Sequence, residues 1–167
     1  VMEALIDAHA NYAWAGCYYM SSDMLERTKA AQFNFETIKE SQNLQDRIAA
    51  VDRLIAFSDY LYNEFNFELR CFIHNSSTND KLYGEFCPRA GAFNEFLKEH
   101  RQDIIDNNSA AIQGVDAYNK KISLLQENLN DLSRYFTIDM PAGAPVTLLN
   151  PYSKVNTIIE KITSSLD

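Results

Sequence analysis

Residues 44–72, LQDRIAAVDRLIAFSDYLYNEFNFELRCF, carry the apolar pattern that decides the fold. One set of positions repeats at alternating steps of four and three residues, which is the spacing of a helix face in coiled coils and bundles. Further apolar residues widen this face beyond a two-position seam, which favours a bundle of several helices over a two-stranded coil. The repeating positions are Leu44, Ile48, Val51, Ile55, Ser58, Tyr62, Phe65, Leu69 and Phe72, and the widening residues are Leu54, Phe57 and Leu61.

The same rhythm continues on both sides of this stretch. Residues 2–40 show it with a phase shift near 21–23, and Asn43 is a typical N-cap for the helix that follows. After the Pro-containing segment 137–152, Val155, Ile159, Ile162 and Leu166 form a short amphipathic repeat. We predict an all-α fold in a single domain, 1–167: an elongated antiparallel helical bundle of three long helices plus a short C-terminal helix. The predicted helices span about 2–40, 44–75, 91–136 and 153–166.

The composition agrees with long helices. The 167 residues include only five Gly and four Pro, so long stretches run without turn residues, whereas all-β folds need frequent turns. Hydrophobic residues make up 46% and charged residues 23%, which is ordinary for a globular protein. A chain of this length buries enough surface to fold without a metal ion or a disulfide.

The charge of the chain limits its partners. The net charge is −8 and the Lys and Arg residues are scattered, so we expect no nucleic-acid binding, which depends on basic residues that neutralise phosphates. The sequence has no run of 18 apolar residues, so we expect no direct membrane span. A protein partner is the expectation that remains, and a basic one suits the charge.

Two cysteines bracket a polar run in residues 67–93, FELRCFIHNSSTNDKLYGEFCPRAGAF. We interpret residues 75–90 as the link between the second and third helices. That link would bring Cys71, near the end of one helix, close to Cys87, near the start of its antiparallel neighbour, which predicts a disulfide. The alternative is two reduced thiols. A disulfide would favour an extracytoplasmic (periplasmic or secreted) location, and reduced thiols a cytoplasmic one.

The same region offers zinc-type ligands in an unconvincing spacing. Cys71, His74, Cys87 and His100 are suitable residue types, but only the first two are close in sequence, whereas structural zinc sites have two close pairs. The chain has no Glu-x-x-His pair of the kind that di-iron bundles use and no recognisable catalytic motif. We therefore predict no catalytic residues, no cofactor, no metal site and no enzymatic activity.

The segment NYAWAGCYY, residues 11–19, is rich in aromatic residues. Tyr12, Trp14, Tyr18 and Tyr19 form a candidate interaction patch, because aromatic residues are enriched in interface hot spots. The alternative is that they belong to the core.

We expect a non-enzymatic helical interaction or structural module that acts through protein–protein contacts, within a larger assembly. The main alternative is an extracytoplasmic helical bundle that senses a ligand, and a third is an enzyme of unrecognised type.

Overall fold

The computed structural model describes residues 2–73, 75–136 and 153–167, with residues 3–14, 153 and 154 described by their backbone alone. Every element in this part of the chain is helical, which confirms the predicted all-α fold. The elements are α1 (Met2–Glu40), α2 (Leu44–Asn63), α3 (Phe65–Arg70), α4 (Ser76–Lys81), a π-helical turn (Leu82–Phe86), α5 (Cys87–Glu99), α6 (Arg101–Ile105), α7 (Ser109–Tyr135) and α8 (Ser153–Thr163).

Contacts between α2 and α5 show that these helices run antiparallel. Arg101, just after α5, binds both carboxylate oxygens of Asp52 at 2.8 and 3.0 Å. Asn94, earlier in α5, donates to the Ser58 hydroxyl at 2.9 Å. A later residue of one helix thus pairs with an earlier residue of the other along the whole contact.

Helix α1 is antiparallel to α7 by the same criterion. Lys39 pairs with Asp116 at 3.1 Å, whereas Gln32, earlier in α1, accepts from Ser123, later in α7. The short link at residues 41–43 makes α2 return along α1. The bundle therefore has four antiparallel segments, formed by α1, by α2 with α3, by α4 with α5, and by α7.

The core lies between these segments and is rich in aromatic side chains. Phe35 of α1 and Phe93 of α5 stack with ring centroids 6.3 Å apart, so the core is continuous across the bundle. The largest fully buried side chains are Met24, Phe35, Ile38, Leu54, Leu61, Phe65, Leu69, Phe72, Phe86, Phe93 and Phe136.

Helix α8 covers one side of this core, where it packs against α7, α4 and the π-helical turn. Asn128 of α7 donates to the Lys161 carbonyl at 3.2 Å and to the Ser165 hydroxyl at 3.0 Å, which attaches α8 to the bundle. The apolar positions expected for the C-terminal helix are all buried.

The apolar face of α2 is rotated from the predicted one. Val51 is fully buried, but Leu44 and Tyr62 are exposed, while Leu54 and Leu61 are fully buried. The residues that were predicted to widen the seam are therefore its centre. The same face continues past Glu64 into α3, where Phe65 and Leu69 are buried as predicted.

The link between the second and third segments is shorter than predicted. The chain becomes helical again at Ser76 rather than at 91, because the Asn75 side chain caps α4 by accepting from the Thr78 N–H at 2.7 Å. The π-helical turn then joins α4 to α5, with Cys87 N–H donating to the Leu82 carbonyl. Pro88 has no N–H and its ring excludes the carbonyl one turn earlier, so the wider π turn lets the helix continue.

The long helix predicted for 91–136 is three helices. Asn107 has a φ of 59°, in the left-handed region that Asn adopts more readily than most residues. Asn108 N–H donates to the Asp103 carbonyl at 2.8 Å and Asn107 N–H to the Ile104 carbonyl at 3.1 Å, which is the bonding of a Schellman motif. This motif ends α6, and Asn108 then caps α7.

Arg47 is a buried cation at the closed end of the α1–α2 hairpin. Only 7% of the residue is exposed. Its guanidinium donates to the carbonyl of Ile38 in α1, to that of Ile104 in α6 at 2.7 Å, and to that of Ile105 at 3.4 Å. These carbonyls lie in the last turns of their helices, where the helix dipole favours a cation. The Ile104 carbonyl also accepts from the Asn107 N–H, so the guanidinium is its second donor.

We predict that Arg47→Met lowers the free energy of unfolding by about 3 kcal/mol, because it removes the guanidinium donors from the Ile38 and Ile105 carbonyls and one of the two donors from the Ile104 carbonyl. Denaturant unfolding measures the change. The matched control is Arg53→Met, at an exposed position of the same helix, which we expect to change stability by less than about 0.5 kcal/mol. Equal losses in the two variants would contradict the structural role of Arg47.

Two adjacent leucines in α7 test the packing. Leu125 is fully buried and Leu124 is 46% exposed. We predict that Leu125→Ala lowers the free energy of unfolding by about 2–5 kcal/mol and Leu124→Ala by under about 1 kcal/mol. Urea denaturation of both variants measures these losses. A larger loss for Leu124→Ala than for Leu125→Ala would show that α7 is rotated.

Candidate functional site

Helix α1 extends past its described neighbours at its N-terminal end. Its antiparallel contacts with α7 place Tyr135, the last residue of α7, near the level of Met20. Among the residues of α1 whose side chains are described from residue 15 onward, the first fully buried one is Ser21, and residues 15–20 are half-buried or exposed. At 1.5 Å per residue, the backbone before this level is over 20 Å long.

Next to this end of α1, a surface forms between α1 and α3. Its level follows from the contacts of Arg27 of α1, which pairs with Asp23 and lies over the ring of Tyr60, whose hydroxyl binds Glu68 of α3. Cys17 of α1 and Cys71 lie further along the two helices in the same direction. We call it the α1–α3 surface, and it consists of Tyr19, Asp23, Glu64, Phe67, Glu68 and Cys71.

Two aromatic side chains of the α1–α3 surface are left in water. Tyr19 is 65% exposed and Phe67 is 63% exposed. Phe67 is exposed because Phe65 and Leu69 occupy the core-facing side of α3. Tyr18 is half-buried, and its ring packs edge-on against Tyr19 with centroids 5.2 Å apart. Tyr19 is thus held against a half-buried ring.

A chain of polar contacts connects α1 to α2 and α3 beneath these aromatics. Asp23 pairs with Arg27 at 3.0 Å, and the Arg27 guanidinium lies 4.5 Å from the centre of the Tyr60 ring. The Tyr60 hydroxyl donates to a Glu68 carboxylate oxygen at 3.3 Å. The ring of Tyr60 is buried, so this chain links the surface directly to the core.

The electrostatics leave Glu68 poorly compensated. Partial burial raises the pKa of its carboxyl, and the charges of Asp23 and Glu64 raise it further, against the Tyr60 hydrogen bond and the Arg27 charge. Burial, followed by the Glu68 charge, raises the pKa of Tyr60 well above its ordinary value. Tyr60 is therefore a neutral donor at neutral pH, and Glu68 is a carboxylate that gains from an additional cation.

The residues of the sequence-predicted patch are only partly brought together. Tyr19 belongs to the α1–α3 surface and Tyr18 packs against it, whereas the side chains of Tyr12 and Trp14 lie outside the described residues. Sequence reasoning missed Phe67 and Glu68. Phe67 is next to the predicted apolar seam but is not part of it. This position was the available signal that its side chain would be exposed.

The structure does not form the predicted Cys71–Cys87 disulfide: Cys17, Cys71 and Cys87 are all free thiols. The α2–α5 contacts place Cys87 opposite Asn66, whose side chain hydrogen-bonds to the thiol. Cys71 lies more than one helical turn further along, where its thiol contacts the Phe67 carbonyl at 3.6 Å. The two thiols therefore face different neighbours, and the extracytoplasmic location that depended on their bond loses its support.

The zinc-type residues are also separate. His74 lies outside the described residues, and His100 is partly exposed with Nδ1 3.7 Å from Asp103. Within the described ranges, no group of three or more His, Cys, Asp or Glu side chains is arranged to hold a metal ion. In the same part of the chain, no helix has the length and apolar character that crossing a membrane requires.

Comparisons of the chain with models of known protein families, with curated proteins and with solved structures found no match. The functional argument therefore rests on the residues of this chain.

We predict that Glu68→Gln stabilises the protein at pH 7. The pKa of Glu68 is raised on folding, so the folded state holds its proton more tightly, and stability falls as pH rises from the ordinary value of 4.5 through the folded value. Gln removes this loss. Thermal unfolding between pH 3 and pH 8 measures it, and the difference from wild type should disappear at the acidic end.

The control for this effect is Glu36→Gln, which removes a charge from an exposed position of α1 outside the surface. A stabilisation by Glu36→Gln that equals that of Glu68→Gln would show a general effect of net charge. A Glu68→Gln effect that is unchanged at low pH would contradict the electrostatic origin.

Proposed function

We propose that this chain is a non-enzymatic helical interaction module, a part of a larger assembly, that binds a protein partner through the α1–α3 surface. The observation that carries the proposal is the exposure of two aromatics, Tyr19 of α1 and Phe67 of α3, on helices that also present the poorly compensated carboxylate of Glu68.

The energetics of the aromatics support binding. Burying a side chain of this size stabilises by about 1.5–3 kcal/mol, and aromatic residues dominate interface hot spots. The core at this level is already filled by Phe65 and Leu69, so the fold does not use Tyr19 or Phe67. A partner that covers both gains apolar contact without displacing any core residue.

The charge of the surface favours a basic partner segment. Glu64, Asp23 and Glu68 supply three carboxylates, and Arg27 compensates mainly Asp23. The net charge of −8 adds a long-range attraction for a basic partner. A Lys or Arg of the partner beside Glu68 relieves the carboxylate repulsion, while apolar residues of the partner cover the aromatics. We therefore expect a segment with basic and apolar residues on one face.

A ligand-sensing function gains no comparable support from the described residues. Such a function needs polar side chains between the helices that are available to a ligand. Arg47 donates to three carbonyls, and Asn94 donates to both Ser58 and Asp59. Arg47 and Asn94 are thus already engaged in contacts between helices.

Site-specific photo-crosslinking in cells of the native source tests the proposal. We predict that a photoreactive phenylalanine at Phe67 crosslinks to a protein, and that Tyr19→Ser lowers the yield at least several-fold. The matched control is Phe33 of α1, which is 65% exposed and lies outside the surface. Mass spectrometry of the crosslinked peptide reads the partner's sequence directly.

A crosslinked segment that combines basic and apolar residues supports the proposal, as does a loss of yield at high salt. Equal yields at Phe67 and Phe33 would show non-selective contact and overturn it. An acidic crosslinked segment would contradict the assignment of partner charge, and no crosslink at Phe67 would contradict the surface itself.

A further inference from the structure

Cys17 and Cys71 are two thiols at one level of the bundle, on facing segments. Cys17 extends the buried stripe of α1, one turn before Ser21 and two turns before Met24, and it packs against the core. Cys71 is the C-cap of α3, and its side chain is exposed. One thiol is thus anchored and the other is accessible to solvent.

The packing of α1 against α2 and α3 places these thiols near each other. Arg27 of α1 lies over the ring of Tyr60, and the two helical segments run in opposite directions from this contact. Cys17 is ten residues before Arg27 and Cys71 is eleven residues after Tyr60, so the two thiols lie at the same level of neighbouring segments.

The ionisation of Cys17 agrees with this placement. Burial raises the pKa of its thiol to about 11, and the charge of the Cys71 thiolate adds to the rise. Burial also raises the pKa of Cys87, whose neighbour is Asn66.

We propose that Cys17 and Cys71 form an intramolecular disulfide when the protein meets a low-molecular-weight disulfide such as oxidised glutathione. This pairing is independent of the proposed function. The bond would attach the N-terminal part of α1 to the end of α3, next to Phe67.

The reaction proceeds in two exchanges. The accessible Cys71 thiolate attacks one sulfur of the oxidant, forming a mixed disulfide and releasing one glutathione thiolate, which takes up a proton. Cys17 then loses its proton and attacks the Cys71 sulfur, and the second glutathione leaves. Two protein thiols are oxidised, and one glutathione disulfide is reduced to two thiols.

The test treats the full chain with oxidised glutathione, blocks the remaining thiols and maps the peptides by mass spectrometry without reduction. We expect a Cys17–Cys71 peptide and a blocked Cys87. Cys17→Ser should accumulate glutathione on Cys71, Cys71→Ser should give no intramolecular bond, and the control Cys87→Ser should form the bond as wild type does.

The second exchange gives an independent readout. Since only the thiolate attacks, closure from the mixed disulfide should accelerate about tenfold per pH unit between pH 7 and pH 9. The peptide map of the wild-type protein tests the pairing even if a Cys→Ser variant does not fold. A Cys71–Cys87 peptide, a bond between two chains only, or three equally modified thiols would each overturn the proposal.

Discussion

The buried guanidinium of Arg47 is the constraint on which the arrangement of the bundle depends. A charge in the interior costs several kcal/mol unless its donors are satisfied, and here the acceptors are carbonyls at the ends of α1 and α6. Of the described residues, no carboxylate forms an ion pair with Arg47. The favourable geometry exists only when the ends of α1 and α6 both lie at the start of α2. This cation therefore selects a single relative position for these three helices.

Beyond this closed end, packing between the helices fixes their relative positions along the bundle. The α1–α2 hairpin begins beside Arg47, and several turns later the same packing sets Arg27 over the Tyr60 ring. The hydrogen bond from Tyr60 to Glu68 then fixes α3, despite the break at Glu64. The α1–α3 surface is therefore a distant consequence of how the first turn of α2 is held.

Periodicity in the sequence predicts the elements that follow one uninterrupted helix. Val115, Ile122 and Leu129 are all buried as expected, because α7 keeps one phase along its length. It fails in α2, where several apolar faces compete and Leu54 and Leu61 are buried in place of Leu44 and Tyr62. It also fails where a polar run such as SSTND is helical because Asn75 caps it. The candidate site was only partly predictable, because it combines Phe67 and Glu68 of α3 with Tyr19 and Asp23 of α1. A pattern within one helix does not show which residues of another helix share its surface.

Two residues of the α1–α3 surface lower the stability of the fold, and neither is needed for packing of the core. Glu68 is a half-buried carboxylate beside two others, and its ionisation opposes folding at neutral pH. Phe67 is exposed to water because Phe65 occupies the core position of α3. An apolar or amide side chain at Glu68 would give a more stable bundle with the same core. A partner that supplies a cation and apolar cover would offset both costs at once, and this is the physical argument for a binding role at this surface.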